Sequence, residues 1–190
     1  DRYEDMLNFV DVVSQAGCDR FSVHARKAWL NGLSPKENRT VPPLRYEDVH
    51  RLKAERSGLA IEINGGLLTL DDAAEQLQHV DAVMIGRAAY DEPMTFADAD
   101  RRFFDAENPG LDRFEIIEMM VPYVADHLAA GGKLHHVTRH LLTLFRRQPG
   151  GKRWRQILSS ESFKPEQDER MLLRALDAVR EAHERRADAA

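Results

Sequence analysis

Three short apolar runs, FSVHA (residues 21–25), LAIEINGG (59–66) and DAVMIGR (81–87), each follow a segment of helical spacing. That order constrains the fold more than any other feature of the chain. In the first segment, YEDMLNFVDVVSQA (3–16), Met6, Phe9, Val10 and Val13 recur at helical intervals, and Gly17 marks the stop. Residues 46–56 repeat the pattern through Val49 and Leu52 and end before Gly58. Thr69, followed by Asp71 and Asp72, reads as the N-cap of a third helix over 70–79. A helix before every strand, with short returns, predicts a parallel sheet covered by helices, because parallel strands need a crossover connection.

Past Pro93 the pattern changes. Residues 111–147 and 166–187 are apolar at a period near 3.6, and no further strand is evident. The turn Asn108-Pro109-Gly110 predicts a boundary, giving an α/β domain over 1–108 and an all-α domain over 109–190, with a variable tail after about 160. From 182 onward the tail is rich in Ala and Arg and is expected to fray. With 190 residues, 43% of them apolar, the chain can bury a core. Its single cysteine, Cys18, excludes a disulfide framework and fits a reducing cytoplasm. No apolar run reaches the roughly 18–20 residues of a membrane span, so no membrane partner is expected, and no signal peptide opens the chain. Nor does any cluster predict a metal.

Two strand ends carry features suited to a phosphate. Asn64-Gly65-Gly66 closes the second apolar run, where paired glycines permit close approach of a ligand to outward-facing amides. Taken alone it is equally a tight βα turn. Gly86-Arg87 closes the third run and offers an amide and a guanidinium for charge-assisted bonds. Together they match the loops after strands seven and eight of a (β/α)8 barrel, between which ligand phosphates commonly sit. FSVHA would then be strand six, with His24 on the same rim; away from such company, a histidine at a strand end is usually structural.

The charge is segregated. The net charge is -5, yet from His127 through Ser160 there is neither Asp nor Glu, while Lys133, Arg139, Arg146, Arg147, Lys152, Arg153 and Arg155 all fall there. A local positive field of that kind suits a nucleic-acid backbone, and Trp154 within it suggests a base-stacking surface. The plainer alternative is a solvated helix face, although surface helices usually mix both signs to gain i,i+4 pairs.

The stretches HARKAWLNGLSPKENR, PPL, INGG, QHVDAVMIGRAAY and RHLLTLFRRQPGGKRWRQILS closely resemble the A-type tRNA-dihydrouridine synthases from residue 1 to about 160. The resemblance implies an FMN-dependent (β/α)8 TIM barrel, here its last three βα units, followed by a C-terminal helical-bundle domain that binds tRNA. It implies NADPH as reductant and reduction of the C5=C6 bond of D-loop uridines at positions 20 and 20a. His24, Asn64, Gly65, Gly66, Gly86 and Arg87 are then expected to hold FMN. Lys36 and Arg39 from the barrel loop, with Lys152 and Arg155 from the helices, are expected to bind tRNA, and Arg26, Lys27 and Arg139 are further candidates.

The family's proton-donating cysteine, like a flavin-binding glutamine and lysine, belongs to the first half of the barrel, and none matches a residue here. Cys18 precedes strand six at its N-terminal end and reads as a buried structural thiol, so no catalytic residue is assigned. A full barrel takes about 250 residues, whereas the barrel-like part spans residues 1–108. The missing N-terminal half of the barrel is therefore an expected partner, and the chain alone is expected to be inactive. A non-catalytic RNA-binding module and a phosphate-binding half-barrel of a metabolic enzyme are the competing readings. The acid-free block argues against the last.

Overall fold

The computed structural model of the protein describes residues 2–29 and 31–188. Asp1, Leu30 of the HARKAWLNGLSPKENR stretch and the last two residues of the tail lie outside the described residues. In chain order the elements begin with α1 (Tyr3–Gln15), β1 (Arg20–His24), α2 (Tyr46–Glu55), β2 (Ala60–Asn64), α3 (Leu70–Gln76), β3 (Ala82–Met84) and α4 (Arg87–Asp91). They continue with α5 (Ala99–Phe103), α6 (Arg113–Ala129), α7 (Leu134–Thr138), α8 (Gly151–Glu161) and α9 (Arg170–Ala187). Among the described residues no helix is long and apolar enough to cross a membrane. The chain divides into two compact units, Asp1–Ala88 and Ala89–Ala190. Residues 89–108 thus group with the helices rather than with the sheet, about twenty residues ahead of the Asn108-Pro109-Gly110 turn.

The first unit is built on a parallel sheet of order β1-β2-β3. Ile61 and Ile63 of β2 are fully buried and pack with Phe21, Val10, Val49 and Leu52 from β1, α1 and α2. The α3 start is the capping box expected of Thr69: its side chain accepts from Asp72 N at 3.0 Å, and the Asp72 carboxylate accepts from Thr69 N at 2.9 Å. At the N-terminal ends of the strands, Asp81 accepts from Ile61 N at 2.8 Å and pairs with Lys53 at 2.9 Å. Cys18 sits at this end too. It is half-buried rather than buried, its thiol donating to Arg20 O at 3.3 Å.

The second unit is helical. Its core joins Ile117 and Val124 of α6, Val137 of α7, Trp154 and Leu158 of α8, and Met171, Leu172, Ala175, Leu176 and Val179 of α9. The α9 helix runs to Ala187 and takes in the Ala- and Arg-rich tail from 182 to that residue; its His183 ring packs edge-on to Phe114, centroids 5.5 Å apart. The expected helix over 111–147 is broken in two places. Gly131, at a φ of +83°, turns the chain between α6 and α7. Residues 139–148 then form successive three-residue turns, such as Leu144 N to Leu141 O and Arg146 N to Thr143 O, instead of helix. Among the described residues, no His, Cys, Asp or Glu cluster is arranged to hold a metal ion.

Candidate functional site

The strand register brings the relevant residues of the first unit to one level. His24 lies opposite Asn64, and Asn64 opposite Met84, so the three strands end side by side. In open parallel sheets this carboxyl end is where ligands bind. A string of side-chain hydrogen bonds ties the three ends laterally. Asn64 Nδ2 donates to Met84 O at 2.8 Å, which leaves its Oδ1 facing His24 Nδ1 at 2.6 Å. An amide oxygen only accepts, so His24 Nδ1 carries the proton and donates. Its Nε2 is the nitrogen left for a ligand.

The cavity at this end, about 210 Å³, is lined by His24, Asn64, Gly65, Gly66, Gly86 and Arg87, the whole set proposed from the sequence for FMN. The two glycines of β2's end are needed there. Gly65 has a φ of +122°, and a Cβ on it would lie 3.3 Å from His24 Cε1 and 3.4 Å from Ala25 N. Gly66, at +71°, would bring a Cβ to 2.8 Å from Leu44 Cδ1. Gly86 differs: it has no left-handed φ, and nothing lies within 4 Å of where its Cβ would stand.

Two further residues belong to this site. Tyr46, at the start of α2, donates its hydroxyl to Gly65 O at 2.7 Å, and burial pushes that hydroxyl's pKa up, keeping the proton in place. Nothing in the sequence marked it, because Tyr46 lies nineteen positions from the carbonyl it holds. Arg39, assigned to tRNA from the sequence, lines the same cavity as Arg87, and its carbonyl accepts from Arg87 Nη2 at 3.0 Å. The structure thus places Arg39 at the same cavity as His24, Asn64 and Arg87.

The loop after β1 is braced internally. Asn38 accepts from Trp29 N at 2.7 Å and returns a bond to Trp29 O at 2.9 Å. Glu37 accepts from both Ser34 N and Ser34 Oγ, which holds its carboxyl below the usual range. Lys36 is exposed beside these braces, and Lys27 is half-buried. Arg26 donates from its half-buried guanidinium to Pro42 O, while its Nε is buried without a partner among the described residues.

In the second unit, α8 sorts its residues by face. Trp154, Ile157 and Leu158 point into the core, while Lys152, Arg153 and Arg155 are exposed. Trp154 is 0% exposed, lies 4.9 Å from the Phe145 ring, and donates its indole N–H to Leu141 O at 2.9 Å. The stacking role expected of Trp154 is therefore corrected. An indole with no accessible face is a core residue. Gly151 makes the packing possible, since a Cβ there would fall 1.9 Å from Phe145 O. Of the cations in the acid-free block, Arg146 pairs with Asp91 at 3.1 Å and Arg139 donates to His140 at 3.1 Å. Among the described residues the side chains of Lys133, Arg147, Lys152 and Arg155 make no ion pair or hydrogen bond.

The first unit thus carries a glycine- and arginine-lined cavity at the carboxyl ends of its parallel strands, and the helical unit carries a stretch, 127–160, that has cations but neither Asp nor Glu. The family model "Dihydrouridine synthase (Dus)" matches residues 1–182. The chain is 53% identical over 178 residues to a tRNA-dihydrouridine(20/20a) synthase of Synechocystis sp., an alignment covering 94% of this chain and 53% of the relative. It is 48% identical over 180 residues to the enzyme of that name from Vibrio vulnificus, covering 94% and 55%. Against the one from Salmonella typhimurium the figures are 44% over 180 residues, 94% and 54%. The chain belongs to the dihydrouridine synthase family, and it spans about half the length of these relatives.

Proposed function

We propose that these residues are the cofactor-phosphate end and the RNA-binding unit of an FMN- and NADPH-dependent tRNA-dihydrouridine synthase of the A type. In this reading the sheet unit is the last three βα units of a (β/α)8 barrel, and the helical unit binds tRNA. The substrate is tRNA, at D-loop uridines 20 and 20a, the positions that the names of the relatives carry.

The observation that carries the reading is the cavity at the strand ends, where six separately nominated residues meet. The donor set fits a phosphorylated cofactor. Gly65 and Gly66 keep clear the space that side chains would fill. Arg87 commits one N–H to Arg39 O and retains the rest of its fork for a phosphate. His24 presents Nε2, held in orientation by Asn64. When bound, FMN would supply the hydride for reduction of the uracil double bond. The chain's own part is to anchor the phosphate and orient the group. Cys18 is the chain's single thiol and lies at the opposite end of the strands, so a proton donor for the other carbon is expected from outside these 190 residues.

Titration of the chain with FMN, followed by flavin fluorescence, tests the assignment. Arg87→Ala should weaken binding about ten- to a hundredfold, the cost of removing a charge-assisted contact and leaving the phosphate short of a partner. Equal affinity for the variant and its parent would refute the phosphate assignment. No FMN binding by either, with tRNA still bound, would favour the non-catalytic RNA-binding module.

A further inference from the structure

With Trp154 in the core, the basic block lacks the aromatic surface that single-stranded RNA binding calls for. We propose that Tyr90 is that surface, stacking on one unpaired base and donating its hydroxyl proton to a ribose or phosphate oxygen. The inference rests on the tRNA reading above.

Tyr90 is 57% exposed and belongs to the helical unit. Its hydroxyl lies 2.6 Å from His140 Nδ1, and Arg139 Nε donates to His140 Nε2 at 3.1 Å. A guanidinium N–H only donates, so His140 Nε2 accepts, and the ring proton sits on Nδ1. His140 Nδ1–H therefore donates to the Tyr90 oxygen. The tyrosine's own proton is then not used in this pair and is available to an acceptor.

The ring is also held in place. Thr143 Oγ1 donates to Tyr90 O, and His140 meets the ring edge-on, with centroids 5.7 Å apart at 71°. Fixing the side chain beforehand removes part of the ordering cost of binding. The two neighbouring acids do not repel a phosphate, because Asp91 pairs with Arg146 at 3.1 Å and Glu92 with Arg113 at 3.1 Å. Other exposed aromatics of the unit lack this combination. Phe163 is already stacked on His135 at 4.6 Å and 22°, and the Tyr123 hydroxyl has no partner among the described residues.

The test measures binding of an unmodified tRNA transcript to the 190-residue chain over a salt series, with inorganic polyphosphate as a polyanion that has no bases. Tyr90→Ala should weaken tRNA binding about five- to a hundredfold without altering the salt slope, since no charge is removed. It should weaken polyphosphate binding by no more than the few-fold that the hydroxyl contributes, since that polymer has no base to stack. Tyr90→Phe keeps the ring and should lose only a few-fold. Unchanged tRNA affinity for Tyr90→Ala overturns the proposal, as does an equal loss for tRNA and polyphosphate, which would mark Tyr90 as a purely structural strut. The double variant Lys152→Ala, Arg155→Ala separates the two readings. If its slope moves while Tyr90→Ala is silent, Tyr90 alone is refuted; if neither responds, the tRNA reading falls as well.

Discussion

Gly66 stands where two demands coincide, a left-handed φ of +71° and a Leu44 methyl 2.8 Å from any Cβ. The methyl is the end of a flexible side chain and can move; the backbone angle cannot be relieved in the same way. Gly66→Ala should therefore cost about 1–3 kcal/mol, read as a lower urea midpoint at unchanged m-value. It should also weaken FMN binding, because the added Cβ would sit 3.3 Å from the Tyr46 hydroxyl that secures Gly65 O. An unchanged midpoint would mean that this turn is not strained by a side chain. At this scale the sequence was legible where residue type is dictated by backbone, as at Gly65 and Gly66. It was not legible where the issue was direction. Trp154 sits between Arg153 and Arg155 in sequence, but on a helix that adjacency puts it about 100° from each, and the core takes it. Tyr46, and the place of Arg39 at the cavity, were missed for a related reason: they come from contacts across a fold, made by a hydroxyl and a carbonyl that any helix or loop contains.

Among the elements, the order and the starts of the sheet unit were readable, because alternation and helical spacing are strong there and caps such as Thr69 punctuate them, but α3 ends at Gln76, three residues short of the expected 79. Strand β3 covers only Ala82–Met84 of the apolar run 81–87, and α4 begins at Arg87. The segment 139–148 misled for a definable reason: turns of three residues repeat at nearly the helical period, so their apolar positions imitate a helix. The fastening of α2 to the sheet carries a pH signature. Lys53 first, then Ile61 N, holds the Asp81 carboxyl below the usual aspartate range, whose reference value is 3.8. A depressed folded-state pKa stabilises the fold fully above that reference, and the contribution is lost as pH falls below it. Asp81→Asn should destabilise the chain at neutral pH and flatten its acid limb below about pH 4, followed by thermal unfolding across pH. If both proteins lose stability in parallel between pH 5 and pH 2, the contact carries no linkage.

At the level of the whole molecule, charge divides the chain into parts more sharply than composition does. An acidic protein of net charge -5 keeps an acid-free stretch of seven cations within its helical unit. If Lys152 and Arg155 meet RNA backbone, replacing both by Ala should reduce the slope of log K against log salt by roughly 1.5, with FMN affinity unaffected. A solvated face predicts no change of slope. The family was open to reading because it rests on long motifs. The grouping of residues 89–108 with the helices was not, because they carry short helices whose packing partners lie far along the chain, as with Tyr90 and Thr143. The two-faced α8 also limits how this protein can vary. The identities of Lys152, Arg153 and Arg155 are free to drift among cations, since water surrounds them, but their spacing from Trp154 is not. One residue inserted after Gly151 would turn the rest of the helix by about 100°. The indole would then leave its place against Phe145 and the cations would swing away from their side of the helix, so that a single event would damage stability and RNA affinity together. Length variation should therefore be tolerated least along this helix, where substitution of the exposed residues is tolerated well.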